Sequence, residues 1–312
     1  MVKCIYKIKL CNRKENFMSE YVLSACSAAD ISAEHFDNLG VRYLCFTYRL
    51  GDKDYTDDLG KSVSYKDFYQ AMRDGADTKT SLINVDQYAD YFRSVLNEGK
   101  DLIHVTLSGG LSGSYNAARL AADEVRCEFP ERKLYVVDSL AASSGYGLFI
   151  DKLAELKNGG MSIDELYAWA NENKLRVHHW FFSTDLTFYV KGGRISKAAG
   201  WFGTMLKICP LLNVDNNGKL IPREKIRGKN NVIKAIFNKM VENADNGTEY
   251  NEKCFISHSD CYEDAVAVKN LIEETFPNLK GKVLINYIGS TIGSHSGPGT
   301  VALFFFGKER NN

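Results

Sequence analysis

Short apolar runs alternate with amphipathic stretches along the chain. The runs Tyr21–Ala25, Val41–Tyr48, Leu102–Leu107, Leu134–Val137, Trp180–Ser183, Leu211–Val214, Cys254–Ser257, Val283–Ile288 and Val301–Phe306 have strand length and predict β-strands. Helical periodicity predicts helices over Ala33–Leu39, Tyr65–Asp74, Asp86–Asn97, Tyr115–Glu128, Ser143–Leu156, Ile163–Asn173, Val232–Asn243 and Ala265–Phe276. Ser162-Ile-Asp-Glu165 reads as a capping box, with Asn84-Val-Asp-Gln87 and Ser64-Tyr-Lys-Asp67 as weaker versions, and Gly40 reads as a helix stop.

Strands alternating with helices predict an α/β fold of mainly parallel sheets. Asn217-Gly218, between apolar runs, adds an antiparallel hairpin to the second half. The expected division is an N-terminal extension over 1–20, one α/β domain over 21–175 and a second over 176–308. Neither a repeat nor a low-complexity tract interrupts it.

Composition narrows the function. The 312 residues carry 39 Lys plus Arg against 39 Asp plus Glu, and 45% are apolar. Zero net charge with this apolar content excludes disorder and disfavours a nucleic-acid partner, whose phosphates call for excess basic residues. The longest apolar run, Val301–Phe306, is far short of the ~20 residues that span a bilayer. Met1–Leu10 alternates Lys with apolar residues instead of forming a signal-peptide core, so the cytoplasm is expected. The eight cysteines include no C-x-x-C and suit reduced, buried thiols. Cys254, His258 and Cys261 offer three metal ligands where a closed zinc site needs four, so a strand end leading into a helix is expected there and no metal.

Candidate chemistry sits in segments rich in Gly, Ser and Thr. Ser108-Gly-Gly-Leu-Ser112-Gly-Ser-Tyr115 follows a predicted strand and opens a predicted helix. Its backbone amides and the Ser112 hydroxyl suit an anion, although it is neither a Walker loop nor a G-x-G-x-x-G fingerprint; Ser112 or Ser114 could equally cap the helix. Asp77–Ser81 reads as a polar loop between helices. The stretch 289–300 reads as a flexible, glycine-dense loop that holds His295 near a strand end. Arg194, after Gly192-Gly193, is expected on a turn and outward-pointing, solvated or in contact with an acidic partner.

Together these residues resemble the DegV family of bacterial proteins over roughly Tyr21 to Gly307. The resemblance rests on Lys79-Thr80-Ser81, Ser108 to Tyr115, Val137-Asp-Ser139 with Ala142-Ser-Ser-Gly145, Lys191-Gly-Gly-Arg194-Ile-Ser196, the stretch Leu211–Arg227, and Gly293-Ser-His295-Ser-Gly-Pro-Gly-Thr300. It implies two α/β domains with one long-chain fatty acid (palmitate, stearate or oleate) in an apolar tunnel between them, and no cofactor. The implied fatty-acid site comprises Thr80 and Ser112, which hold the carboxylate, with Ser81, Ser108, Gly113 and His295 around it. It further implies a non-catalytic subunit that presents the acyl carboxylate to a separate fatty acid kinase subunit, docked through Arg194. Transient membrane contact is compatible with that role. The sequence departs from the family pattern at Cys26, where Asp is usual, at Leu82-Ile83, where Gln-Pro is usual, and in the extension before residue 21.

Two other functions fit parts of the pattern. Ser112 and His295 could form the nucleophile and base of an acyl ester hydrolase. Against this, position 114 is Ser, so there is no G-x-S-x-G elbow, and no acid partner for His295 is evident. A sugar- or phosphate-binding regulator would want a cation in the anion loop, where Lys79 is the nearest candidate.

Overall fold

The structure is a computed structural model that describes residues 21–196 and 208–310. The extension over 1–20 lies outside the described residues. The first half runs β1 (Tyr21–Cys26), α1 (Ala33–Leu39), β2 (Arg42–Leu44), β3 (Thr47–Leu50), β4 (Lys53–Thr56), α2 (Tyr65–Arg73), β5 (Thr78–Ser81), α3 (Val85–Asn97), β6 (Asp101–Thr106), α4 (Ser114–Glu128), β7 (Leu134–Asp138), α5 (Ser143–Asn158) and α6 (Ile163–Asn173). The second half runs β8 (Val177–Ser183), α7 (Thr187–Lys191), β9 (Ile208–Val214), β10 (Leu220–Arg227), α8 (Lys229–Asn243), β11 (Phe255–His258), α9 (Tyr262–Thr275), β12 (Leu284–Tyr287), α10 (Ser290–Ser296) and β13 (Thr300–Phe306).

The expected caps form. Ser162 and Glu165 close a full capping box, as do Asn84 and Gln87, and Ser64 accepts from the Asp67 amide. Gly40 ends α1 at φ +64°, a conformation that only glycine adopts without strain.

The first sheet, in the order β2-β1-β6-β7, is parallel throughout. Both faces are covered, so every residue of β1 and β6 is buried, the polar Ser24, Asp101, His104 and Thr106 included. The second sheet, in the order β10-β9-β8-β13-β11-β12, is antiparallel at every pairing except β11 with β12. Antiparallel pairing thus extends well beyond the anticipated β9–β10 hairpin. A continuous apolar run signals burial on both faces and carries no information about strand direction. A single helical turn, Lys174–Arg176, leads from α6 into β8.

Three local expectations are corrected. The run Val41–Tyr48 is two strands, because β2 pairs in parallel with β1 whereas β3 joins a small antiparallel sheet, β4-β3-β5. Asp77–Ser81 is not simply a loop. Thr78–Ser81 forms β5, held by register with β3 from Leu50↔Thr78 to Thr47↔Ser81. The supposed flexible loop after Ile288 contains α10, with five of its seven residues buried. Its small residues permit that packing: a Cβ on Gly293 would lie 2.5 Å from the Tyr69 hydroxyl.

Helix α5 sits between the sheets and is buried on both sides. A Cβ on Gly145 would meet His179 and Phe304 of the second sheet, and one on Gly147 would meet the Ala29 carbonyl of the first half. Two ion pairs fasten its outer end to the second half, Asp151 with Lys253 and Lys152 with Glu252.

Candidate functional site

A cavity of about 250 Å³ opens where the halves meet. Its walls are largely apolar, with Phe46, Leu107, Leu111, Phe181, Ile288 and Phe304 among them. Thr80, Ser112, Arg194 and His295 also face it, each from a different element or turn.

Thr80 comes from β5, where side chains alternate between faces. Thr80 is half-buried and lines the cavity, whereas its neighbour Ser81 is exposed and does not. His295, near the end of α10, sets Nε2 2.8 Å from Thr80 Oγ1, and its Nδ1 is buried without a partner. Burial, with the Arg194 guanidinium nearby, pushes the imidazole down to about 4, so it is neutral at pH 7. In the tautomer with the proton on Nε2, the imidazole donates to Thr80 Oγ1 and the threonine O–H is free to donate into the cavity; in the other, Thr80 donates to Nε2.

Ser112 and Gly113 line the cavity from the loop before α4. Four of the loop amides expected to hold an anion are already occupied. Leu111 and Ser112 donate to the Ser108 carbonyl, Gly110 donates to the Ser108 hydroxyl, and Gly109 donates to Asp138. The Ser112 hydroxyl faces the cavity and accepts from the Ser114 amide at 3.2 Å.

Ser108 has a different job. It is fully buried, does not line the cavity, and donates to the Gly218 carbonyl at 2.8 Å. The tip of the β9–β10 hairpin is thereby clamped on the loop. Gly218, at φ +71°, approaches so closely that a Cβ there would stand 1.9 Å from Ser108 Oγ.

Arg194 does sit on a turn, but it is not outward-pointing. Gly193 at φ +72° reverses the chain after α7, and Arg194 folds back to donate to the Gly192 carbonyl at 2.6 Å. It is half-buried and lines the cavity. The structure thus brings Thr80, Ser112, Gly113, Arg194 and His295 to one space and leaves Ser81 and Ser108 out of it.

The DegV family model matches residues 26–308. A DegV domain-containing protein of Clostridium perfringens is 34% identical over 290 residues, covering 93% of this chain and 98% of its own. The chain belongs to the DegV family. Its fold matches that of a DegV family protein from Thermus thermophilus described for fatty acid binding (TM-score 0.80, 27% identity, 92% and 99% of the two chains covered). It also shares the fold of the fatty acid kinase B3 protein of Streptococcus pneumoniae, solved with linoleic acid (TM-score 0.78, 22% identity, 92% and 99% covered).

Sequence reasoning missed several features of this DegV-family site. Leu82, at a departure from the family pattern, is 45% exposed and forms an apolar lip against Gly113. The wall residues carried no signal of their own, since an apolar residue facing a cavity reads like one facing the core. The Cys254, His258 and Cys261 side chains do not converge. Cys254 packs on Met240, His258 accepts from the Cys261 amide, and the Cys261 thiol donates to the Thr300 carbonyl. Among the described residues no helix is long and apolar enough to cross a membrane.

Proposed function

We propose that this protein binds one long-chain fatty acid, such as palmitate, stearate or oleate, without transforming it, and presents its carboxylate to a separate kinase subunit. The observation that carries the reading is one apolar-walled cavity faced by two hydroxyl donors, Thr80 and Ser112, together with a guanidinium. Each buried methylene stabilises the complex by ~0.8 kcal/mol, so the chain supplies most of the affinity. The hydroxyls supply orientation, each bond to the carboxylate being worth about 1.5–3 kcal/mol. The fatty-acid-binding relative from Thermus thermophilus supports the ligand class. The kinase half of the reading draws on the pneumococcal fatty acid kinase B3 protein and on Arg194 lining the same cavity as Thr80 and Ser112.

Ester hydrolysis fits the geometry poorly. The nearest hydroxyl to His295 Nε2 belongs to Thr80, Ser112 is bonded to Ser114, and a histidine held near 4 beside an arginine is a weak base.

Native mass spectrometry of the purified protein with palmitate or oleate should show a one-to-one complex. The Thr80→Val, Ser112→Ala double variant should stay folded and bind palmitate at least ~10-fold more weakly. Failure of the wild type to bind either acid rejects the reading, whereas an unaffected double variant rejects only the head-group assignment. With a fatty acid kinase catalytic subunit and ATP, Arg194→Ala should lower acyl phosphate formation more than it lowers palmitate affinity. Equal losses would remove the presenting role.

A further inference from the structure

Among the polar side chains that line the cavity, His179 stands far from the head-group residues. Along β13, Thr300, Ala302 and Phe304 occupy alternate positions and line the cavity; Phe181 and His179 of β8 stand in register beside Ala302 and Phe304 and line it too. Thr300 marks the head-group end. Its Oγ1 lies 3.0 Å from the Tyr189 hydroxyl, and the Tyr189 carbonyl accepts from the Arg194 amide. His179, beside Phe304, is ~13 Å further along the strands. The next pair on that face, Phe306 and Val177, does not line the cavity, so His179 marks its inner end on this wall.

Hydrogen bonding fixes what this imidazole can offer. Nδ1 lies 3.0 Å from the Val177 carbonyl, which can only accept, so Nδ1 carries the proton. Burial keeps the ring neutral, and the Arg310 guanidinium adds to that effect. Nε2 is therefore a lone pair. Its hydrogen-bond partner among the described residues is the Ala142 amide at 3.4 Å, beyond the usual range of about 2.7–3.2 Å. The ring is held in place, edge-on to Phe304 and so close to α5 that a Cβ on Gly145 would stand 2.4 Å from Nε2. A weakly partnered acceptor, fixed in an apolar wall, can take a stronger bond from a donor that enters the cavity. An alkyl chain brings no donor and a carboxylate brings no proton, whereas a hydroxyl does.

We propose that His179 Nε2 accepts from a hydroxyl on the ligand's chain, so that the preferred ligands are long-chain fatty acids hydroxylated near mid-chain. This inference rests on the fatty-acid reading of the site and narrows it. The ~13 Å from the head-group end to His179 reaches about the middle of a stearate-length chain. The two ends of the cavity are complementary to such a ligand. Arg194 and the hydroxyls at one end suit an acceptor, the carboxylate, and His179 at the other suits a donor. In a wall without an acceptor, a buried chain hydroxyl would lose its bond to water and weaken binding roughly ten-fold.

The test compares stearate with 10-hydroxystearate and 12-hydroxystearate on the full chain. At least one hydroxy acid should bind the wild type as tightly as stearate does. His179→Phe, which removes the acceptor, should weaken that hydroxy acid roughly ten-fold and leave stearate within about two-fold. Binding of stearate with a ten-fold or greater penalty for both hydroxy acids would overturn the inference, as would equal losses for acid and hydroxy acid in the variant. Failure of all three ligands to bind the wild type would instead overturn the fatty-acid reading. A second measurement needs no variant. With ¹⁵N-labelled histidine in the wild type, the unprotonated Nε2 resonance of His179 should move upfield in the hydroxy acid complex relative to the stearate complex. The same Nε2 shift in both complexes would show that the hydroxyl does not reach it.

Discussion

Individual side chains in this protein are assigned their tasks by what surrounds them. Thr80 and Ser81 are adjacent hydroxyls, yet strand alternation sends one to the cavity and the other to solvent. Asp30 is the sharpest case. Its carboxyl is fully buried, and burial pushes it well above the usual carboxylate range despite the Ser143 hydroxyl at 2.5 Å; nearby Asp57 adds to the rise. A carboxyl raised in the folded state binds its proton more tightly there than in the unfolded chain. Its stabilising contribution is present at low pH and is lost as pH rises from about 4 through the folded value. Asp30→Asn keeps a neutral side chain of the same shape. The variant should therefore lose less stability than the wild type as pH rises above about 4. Parallel stability curves for the two proteins in urea titrations would show that Asp30 is not the source.

At the scale of elements, packing turns weak local signals into definite structure. The segment of α10 looked like loop because Gly and Ser dominate it, but the same small residues let it press against Tyr69 and Phe68. The β9–β10 hairpin is decided locally by Asn217-Gly218 and then used at long range, since its tip is the lid under which Ser108 is buried. Gly218→Ala introduces a Cβ into that clamp at a left-handed φ. A loss of about 2–3 kcal/mol is expected from steric and backbone strain together. Equilibrium unfolding in urea measures it, and a loss below ~0.5 kcal/mol would show that the hairpin tip gives way at little cost.

For the whole molecule, buried histidines set the acid limit. Burial holds His104 at about 3 and His178, His258 and His295 at about 4, and drives His179 down as well. In the unfolded chain these groups titrate near 6.5. Between pH 6.5 and 4 the unfolded state binds more protons, so stability falls as pH falls through that window. The raised carboxyls Asp30 and Asp57 oppose this, but they are two against five. The free-energy difference between pH 7 and pH 4.5, from urea melts, should be a loss of a few kcal/mol. A flat profile would contradict the neutral, buried state of the histidines.

The sequence by itself determined the element types, the caps and the hairpin, because these depend on residues within a few positions of one another. Helices such as Ala33–Leu39 and Ile163–Asn173 were legible to the residue. Family motifs also pointed to Thr80, Ser112, Gly113 and His295 as members of one site, and all four face the same cavity. Only the tertiary structure decided strand direction in the second sheet, the inward turn of Arg194 and the removal of Ser108 and Ser81 from the site. It also decided that the amides of Gly109 to Ser112 were already spent on Ser108 and Asp138. Direction, facing and hydrogen-bond satisfaction depend on partners that can stand more than a hundred positions away, as Gly218 does from Ser108, and no local pattern encodes them.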